Sequence, residues 1–183
     1  MPEVIVYTIG HSNQPWAEFV GNLKANKIET VVDVRSKPRS RFGQFHKTHL
    51  QNYLPKENIA YIFSGDTLGG HPTNPELYDS DHHVVYERIA SKRPFRNAIK
   101  QLIELAGKSR VAIMCKEEKP ADCHRHPLIA RYLLERRVKV LHIRRRGPTE
   151  NATAYFNQPA NPQLPLFEQS GEDPTWRSPT RIP

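Results

Sequence analysis

The feature that most constrains the fold of this chain is the alternation of short apolar runs with longer amphipathic stretches. Strands of a parallel sheet that are buried on both faces have this near-continuous apolar character, and crossover helices connect them. The pattern therefore predicts an α/β domain with a mainly parallel sheet. The predicted strands are residues 4–9, 30–34, 60–63, 110–114 and 138–143, and the predicted helices are residues 16–27, 46–54, 84–89, 96–106 and 127–137.

The length of 183 residues allows one sizeable hydrophobic core but not two. We predict a single compact domain over residues 1–146, because the composition changes after Arg146. Residues 147–183 hold seven of the 16 prolines and show little apolar periodicity, which predicts a flexible tail. Another segment rich in Gly and Pro, residues 64–81, is predicted to be a lid or a binding loop.

The charge and the cysteine content indicate the class of partner and the compartment. The chain has a formal net charge of +8 and only two cysteines. We recognise neither a secretory signal nor a membrane-spanning stretch, so we expect a cytoplasmic protein with no membrane association and with free thiols. The excess of positive charge favours a polyanionic partner, because cations that neutralise phosphates release condensed counterions.

The positive charge is concentrated in two segments. Residues 35–56 contain six Lys and Arg residues, five aromatic or histidine rings and no acidic residue, and a second basic run covers residues 136–146. Cations alternating with rings suit a groove for nucleic acid. We therefore predict DNA as a partner, a nucleoid-associated location, and phosphate contacts from Arg39 and Arg41. A solvated basic surface is the alternative.

Candidate site residues follow the first two predicted strands, where ligands of parallel α/β sheets bind. His11 and Ser12 come directly after Gly10 and are candidates for substrate binding, although Ser12 or Asn13 could instead cap the next helix. Asp33 and Arg35 lie on one face of the second strand. They are either a catalytic carboxylate beside a phosphate-binding guanidinium or a structural ion pair.

The segment after the fourth strand, residues 114–126, is the richest in chemically reactive side chains, and three interpretations compete for it. Cys115 or Cys123 could be a thiolate nucleophile. The cysteines and histidines could bind zinc, but their spacing is not that of common structural zinc sites. Alternatively, Glu117 is the general acid or base, while His124 and Arg125 bind a phosphate near a helix start.

Five blocks of the sequence resemble a known family. They are TIGHS at residues 8–12, DVR at 33–35, PRSRFGQF at 38–45, LGG at 68–70 and MCKEEKPADCHR at 114–125, and together they resemble the bacterial and archaeal domain of unknown function family 488. The resemblance covers residues 4–143 and implies a compact α/β domain. The signature residues that it implies are His11, Ser12, Asp33, Arg35, Gly69, Gly70, Cys115, Glu117, Cys123, His124 and Arg125.

A short peptide in the predicted tail indicates a second partner. Residues 163–167, with the sequence QLPLF, resemble the pentapeptide by which bacterial polymerases and repair proteins dock to the replication sliding clamp. In an extended segment, Gln163, Leu164, Leu166 and Phe167 could enter a hydrophobic groove of the clamp. In the alternative interpretation, the apolar side chains pack on the domain itself.

We therefore predict an enzyme that processes DNA, such as a glycosylase or related hydrolase that repairs an abnormal base, with carboxylate acid–base chemistry. The alternatives are a thiol-dependent enzyme for a small sulfur- or phosphorus-containing substrate, and a non-catalytic DNA-binding module recruited to the clamp. We assign no metal and no cofactor. The predicted catalytic residues are Asp33, Glu117, Cys115 and Cys123, and the predicted substrate- or phosphate-binding residues are His11, Ser12, Arg35, Arg39, Arg41, Gly69, Gly70, His124 and Arg125.

Overall fold

Six strands form one sheet in the computed structural model, which describes residues 3–146, 148–156 and 176–181. The strands are β1 (Ile5–Gly10), β2 (Thr30–Asp33), β3 (Ala60–Phe63), β4 (Val111–Cys115), β5 (Lys139–Ile143) and β6 (Glu150–Asn151). Their order is β3-β2-β4-β1-β5-β6, and only β6 is antiparallel to its neighbour. The predicted α/β fold with a mainly parallel sheet is confirmed.

The five predicted strands all form, with ends that shift by at most one residue. Strand β6 is not predicted from the sequence, because its two residues contain no apolar run that would indicate a strand. Strand β4 lies between β2 and β1, so that Asp33 is opposite Met114 and Gly10 is opposite Cys115. This register brings the carboxyl ends of three strands to the same edge of the sheet.

Three of the five predicted helices are shorter or interrupted, the one predicted over residues 84–89 is shifted by two residues, and the one predicted over 96–106 begins three residues earlier, at Arg93. They are α1 (Trp16–Ala25), α2 (Lys47–Tyr53), α3 (Gly65–Leu68), α4 (Tyr86–Ser91), α5 (Arg93–Ala106), α6 (Arg131–Leu134) and α7 (Thr153–Phe156). A π-helix, Arg125–Ala130, leads directly into α6, and the predicted loop over residues 64–81 contains α3 and the 3-10 turn Pro75–Leu77. None of the described helices has both the length and the apolar character needed to cross a bilayer.

Two hydrophobic layers cover the sheet, because successive strand side chains point to opposite faces. Val31 and its neighbours on one face pack with apolar residues of α1 and α2. Val32 and its neighbours on the other face pack with α4, α5 and the π-helix. Strands β2 and β4 are buried along their whole length, which explains their continuous apolar sequence.

The folded body extends beyond Arg146. Strand β6 pairs with β5, and residues 176–181 form a strap that packs on the body. The backbone N–H of Tyr86 donates to the carbonyl of Trp176, and the N–H of Ser178 donates to the carbonyl of Val84, each over 2.9 Å. Residues 157–175, which include the clamp-like peptide at 163–167, lie outside the described residues.

The loop after β4 crosses the end of β1 at very short range. The backbone N–H groups of His11 and Ser12 donate to the carbonyls of Cys115 (2.9 Å) and Lys116 (2.8 Å). A Cβ atom on Gly10 would lie only 1.7 Å from the carbonyl oxygen of Glu117. Glycine is therefore required at this position for the loop to approach the strand.

We expect Gly10→Ala to lower the free energy of unfolding by about 2 kcal/mol or more, because the new methyl group overlaps backbone that cannot move without distorting the loop. Gly21→Ala is the matched control, since nothing lies within 4 Å of a Cβ at this position in α1. The control should raise stability by about 0.5–1 kcal/mol, because alanine favours a helix more than glycine does. Urea denaturation of both variants measures the difference, and equal stabilities would contradict the close packing at Gly10.

Candidate functional site

A pocket of about 380 Å³ lies at the carboxyl ends of β2 and β4. This is the position at which parallel α/β folds bind ligands, and the volume is in the range of small-molecule sites. Four cations, two carboxylates, two thiols and two imidazoles line it. The lining residues are Arg35, Lys37, Arg39, Gly70, His71, Tyr86, Cys115, Lys116, Glu117, Asp122, Cys123, His124, Ser178, Pro179 and Thr180.

Asp33 and Arg35 form a buried two-pronged ion pair behind one wall of the pocket. Nε and Nη2 of Arg35 donate to the two carboxylate oxygens of Asp33, over 2.8 and 2.6 Å. The hydroxyl of Tyr61 donates to the same carboxylate over 2.8 Å, and Asp33 is completely buried. These donors occupy both oxygens of Asp33, so in this structure its carboxylate positions Arg35.

His11 completes the surroundings of the Arg35 guanidinium. Nη1 of Arg35 donates to Nε2 of His11 (3.1 Å) and to the carbonyl of Phe45 (2.9 Å). Nδ1 of His11 donates to the carbonyl of Ser12 over 2.9 Å, and its ring stacks on Phe45. Burial lowers the pKa of His11 to about 4, so the ring is neutral and accepts a hydrogen bond from Arg35.

Ser12 is a turn residue in the structure. Its φ angle of 45° lies in the left-handed region, and helix α1 begins after Pro15 without a side-chain cap. The alternative interpretation, in which Ser12 caps the helix, is therefore not what the structure shows.

Cys115, Cys123 and His124 meet at the floor of the pocket. The Sγ atoms of Cys115 and Cys123 lie 3.7 and 3.8 Å from Nδ1 of His124. Nε2 of His124 donates to the carbonyl of Leu68 over 3.0 Å, which leaves the lone pair of Nδ1 directed at the sulfur atoms. All three donor atoms lie within 4.8 Å of one another, close enough to bind one metal ion together.

The pKa values of the two thiols are shifted in opposite directions, because the thiols share a hydrogen bond. That hydrogen bond and burial raise the pKa of Cys115 well above its usual value. Burial also acts to raise the pKa of Cys123, but the hydrogen bond from Cys115, the charge of Arg125 and the contact with His124 together lower it well below its usual value. Cys123 is thus the thiol that more readily becomes a thiolate.

Arg125 is completely buried and holds the loop that forms one side of the pocket. Its Nη1 donates to the carbonyl of Glu117, its Nη2 donates to the carbonyl of Glu118 over 2.7 Å, and its Nε donates to the hydroxyl of Thr8 over 3.2 Å. A guanidinium with these internal acceptors is oriented away from the pocket, whose lining does not include it.

A chain of buried hydrogen bonds continues from Thr8. The hydroxyl of Thr8 lies 2.7 Å from Nδ1 of His142, and the other ring nitrogen of His142 lies 3.0 Å from Nδ1 of His126. Burial lowers the pKa of His142 to about 2 and that of His126 to about 4. Both rings are therefore neutral, and the sequence analysis missed them because nothing in the local sequence indicates that they meet.

Two glycines of the LGG block allow close packing. A Cβ on Gly70 would lie 2.5 Å from Cγ of His124, and a Cβ on Gly69 would lie 2.2 Å from the hydroxyl oxygen of Ser36. Gly70 lines the pocket and packs against the imidazole, whereas Gly69 lies against the segment after β2. Neither position has room for a side chain.

The first basic segment forms part of the pocket and an adjoining surface. Arg39 lines the pocket, and the guanidinium of Arg41 lies 4.9 Å from the centre of the Phe42 ring. Farther along, His49 stacks on Tyr53 at 4.1 Å, and Tyr53 is 43% exposed. We call the exposed Tyr53, the partly exposed Phe42, His46 and His49, and the exposed cations Arg39, Arg41 and Lys56 the ring surface.

The second basic run is largely neutralised within the fold. Arg144 binds Glu118 and Glu150, each at 2.8 Å, and Arg145 binds Glu18 at 2.8 Å. The hydrogen bond from Arg144 lowers the pKa of Glu118, as expected for a carboxylate beside a guanidinium. These cations join the end of β5 to α1 and to the loop after β4, and their charges are paired internally.

Comparison with known proteins bears on the family to which this chain belongs. The model of the family described as domain of unknown function DUF488 matches residues 15–133, which is more than half of the 183 residues. The chain belongs to the DUF488 family. No curated protein and no solved structure is similar enough to the chain to count as a match.

The DUF488 fold brings about half of the predicted site residues to one pocket. Those that line it are Arg35, Arg39, Gly70, Cys115, Glu117, Cys123 and His124. Asp33, His11 and Arg125 are buried behind the walls, and Ser12, Arg41 and Gly69 lie outside the lining. Gln163, Leu164, Leu166 and Phe167 lie outside the described residues.

Several lining residues were not among the predicted site residues. Lys37, Lys116 and Asp122 lie inside the segments 35–56 and 114–126, which the sequence already indicates as functional. Their positions within these segments could therefore have identified them as site residues. Residues 178–180 reach the pocket because the strap packs beside α4, and Tyr86 reaches it as the first residue of that helix. No local motif in the sequence indicates such a contact.

Proposed function

We propose that this DUF488 protein is an enzyme that acts on DNA and takes one base or nucleotide into the pocket. The observation that carries the proposal is the composition of the pocket, in which Arg39, Lys37 and Lys116 surround a carboxylate and a thiol–imidazole floor. Cations at a concave site favour a phosphate-bearing substrate, and reactive side chains on the floor favour chemistry over mere binding.

The ring surface supports nucleic acid as the form of the substrate. It continues from the pocket residue Arg39 along the chain to Tyr53, and Lys56 lies 4.2 Å from the centre of the Tyr53 ring. Tyr53 and the partly exposed rings beside it would contact unpaired bases, while the neighbouring cations would meet phosphates. A strand held there would present a flipped or single-stranded nucleotide to the pocket.

Glu117 is the carboxylate that we assign to acid–base chemistry. It lines the pocket, its side chain is 48% exposed, and Nζ of Lys116 lies 3.5 Å from its carboxylate. Asp33, by contrast, is committed to Arg35 and Tyr61. Removal of an abnormal base, as in a DNA glycosylase or a related repair hydrolase, needs one carboxylate to activate water or protonate the leaving group.

A thiol-dependent enzyme is the second candidate. It is favoured by the contact between Cys123 and His124 and by the lowered pKa of the Cys123 thiol. Such an enzyme would use the thiolate as a nucleophile on a small sulfur- or phosphorus-containing substrate. Cys123→Ser should then abolish turnover, whereas a carboxylate mechanism without a role for the sulfur would tolerate the exchange.

We expect DNA binding to weaken steeply with salt and to depend on the first basic segment. Arg39→Ala and Arg41→Ala should weaken binding to every sequence and should each reduce the slope of log K against log salt by about 1. Lys108→Ala is the matched control, because this exposed lysine lies near the amino end of β4, at the opposite edge of the sheet. Fluorescence anisotropy with a labelled oligonucleotide measures all four proteins. An equal effect of the control would show that only net charge matters.

We expect the removal of the Glu117 carboxylate to reduce turnover, and the removal of the Asp33 carboxylate to reduce stability. Glu117→Gln should reduce turnover of a damaged-base oligonucleotide by about 10²- to 10⁴-fold with unchanged stability. Asp33→Asn should lower the free energy of unfolding by about 3–5 kcal/mol, because it leaves the buried guanidinium of Arg35 without its counter-charge. Cleavage assays over a panel of damaged bases, together with urea denaturation, test both. A Glu117→Gln protein with full turnover would exclude this carboxylate, and a panel without any turnover would favour a DNA-binding module.

We also propose that residues 163–167 dock on the bacterial sliding clamp, which would place the enzyme at replicating DNA in the nucleoid. The support is the peptide sequence and its place between two segments that pack on the body, residues 148–156 and 176–181. An extended peptide that supplies Leu164, Leu166 and Phe167 matches groove recognition by apolar anchors.

Replacing both Leu166 and Phe167 with Ala should abolish clamp binding, since truncating each buried anchor often costs about 2 kcal/mol or more. Gln169→Ala, outside the pentapeptide, is the control and should bind as the unchanged chain does. Surface plasmon resonance with immobilised clamp gives the affinities, and thermal denaturation reports on the body. If the double variant unfolded the body, these side chains would belong to the core and the docking proposal would be wrong.

A further inference from the structure

We propose that Cys115, Cys123 and His124 bind a zinc ion whose fourth coordination position opens into the pocket. The inference goes beyond the proposed function, because it rests on three side chains and does not depend on DNA as the substrate. The observation behind it is that two sulfur atoms and one ring nitrogen from two separate segments converge within 4.8 Å of one another.

The distances between the donor atoms fit tetrahedral coordination. Zinc binds sulfur at about 2.3 Å and imidazole nitrogen at about 2.0–2.1 Å, which places S and N of a tetrahedral site about 3.6 Å apart. The two Sγ atoms lie 3.7 and 3.8 Å from Nδ1 of His124. These two nitrogen–sulfur distances therefore match a zinc site to within a few tenths of an ångström, and the two sulfur atoms lie within 4.8 Å of each other.

The imidazole of His124 is already oriented as a metal ligand. A histidine that binds zinc through one ring nitrogen usually donates the N–H of the other to a carbonyl or carboxylate. Nε2 of His124 donates to the carbonyl of Leu68 over 3.0 Å, so Nδ1 is the unprotonated nitrogen that faces the sulfur atoms. Gly70 packs closely against the ring, since a Cβ at this position would lie 2.7 Å from Nδ1.

The local fold explains how an eight-residue separation forms a site. Cys115 is the last residue of β4, and the 3-10 turn Pro120–Asp122 brings the chain back so that Cys123 and His124 lie beside it. A compact zinc knuckle needs ligands two to four residues apart, but a strand end and a helix start can supply them across a loop. The spacing of Cys115 and Cys123 therefore excludes a compact zinc knuckle, but it does not exclude a site that is formed across a loop.

The donor set favours zinc among the common divalent ions. Thiolate and imidazole ligands suit zinc, whereas magnesium and calcium prefer oxygen. Two thiolates balance the charge of the ion, so a buried site of this composition would be neutral.

Three protein ligands with one open position are typical of catalytic rather than structural zinc. All three residues are more than 90% buried, yet all three line the pocket. The open position would therefore face the space that Glu117 also lines, where a zinc-bound water could lie near a carboxylate.

The test is metal binding by the full chain, purified under reducing conditions and stripped with a chelator. We expect one zinc ion per chain by mass spectrometry of metals, and Co²⁺ in its place should give a sulfur-to-cobalt charge-transfer band with the visible spectrum of a tetrahedral ion. Saturating zinc should also protect both thiols from alkylation. These readouts need no DNA, so they remain informative if the proposed function fails.

Variants assign the ligands. Changing only the surroundings of a ligand costs about 10- to 100-fold in metal affinity, so His124→Ala and Cys123→Ser should weaken zinc binding by at least about 100-fold. His71→Ala is the matched control, because His71 lines the same pocket but is not part of the three-residue cluster, and it should bind zinc normally. Circular dichroism checks that each variant folds. If a variant does not fold, the cobalt spectrum of the unchanged chain still reports whether thiolates bind the metal.

Three results would overturn the proposal. They are a cobalt complex without the charge-transfer band, alkylation that is equally fast with and without zinc, and a folded His124→Ala protein with unchanged zinc affinity. Each of these would leave the thiols free for the nucleophilic role of the second candidate function.

Discussion

The buried guanidinium of Arg125 is the interaction on which the shape of the pocket depends. Taking a cation out of water costs several kcal/mol unless hydrogen-bond acceptors surround it. Arg125 meets this requirement with the carbonyls of Glu117 and Glu118 and the hydroxyl of Thr8. One side chain thereby joins the π-helix to β1 and to the loop after β4. The residues next to it in sequence, His124 and Cys123, are placed on the pocket floor by the same anchor.

Several cations are paired inside the fold, so the net charge overstates the positive charge that is available to a partner. The chain carries a formal charge of +8, but Arg35, Arg125, Arg144 and Arg145 all bind acceptors inside the fold. Exposed cations remain over much of the described surface, and those at the pocket are Lys37 and Arg39, which line it, and Lys116, whose Nζ also lies 3.5 Å from Glu117. A polyanionic partner is therefore favoured by the cations that line the pocket and not by the total charge.

The pocket floor allows two kinds of chemistry that exclude each other. A zinc ion would occupy both sulfur atoms and the ring nitrogen, whereas a nucleophilic Cys123 needs its sulfur free. The geometry at His124 favours the metal, because the hydrogen bond to Leu68 and the contact with Gly70 hold the ring with its lone pair towards both sulfur atoms. In the thiol mechanism, the second sulfur would instead serve as the hydrogen-bond donor that helps to lower the pKa of Cys123.

The sequence by itself determined the α/β class, the five parallel strands, the DUF488 family and most of the segments that form the pocket. It could do so because apolar periodicity and the position of a residue after a strand are local properties. Only the tertiary structure decided how each polar side chain is used. Asp33 and Arg35 are a buried pair, Arg125 points into the protein, and the strap reaches the pocket from the far end of the chain. The spacing of Cys115 and Cys123 argued against a shared ligand, yet the turn at Pro120–Asp122 brings them together. The physical reason is that hydrogen bonds and burial are settled by neighbours distant in sequence, and no local pattern encodes which partner a guanidinium or a thiol will meet.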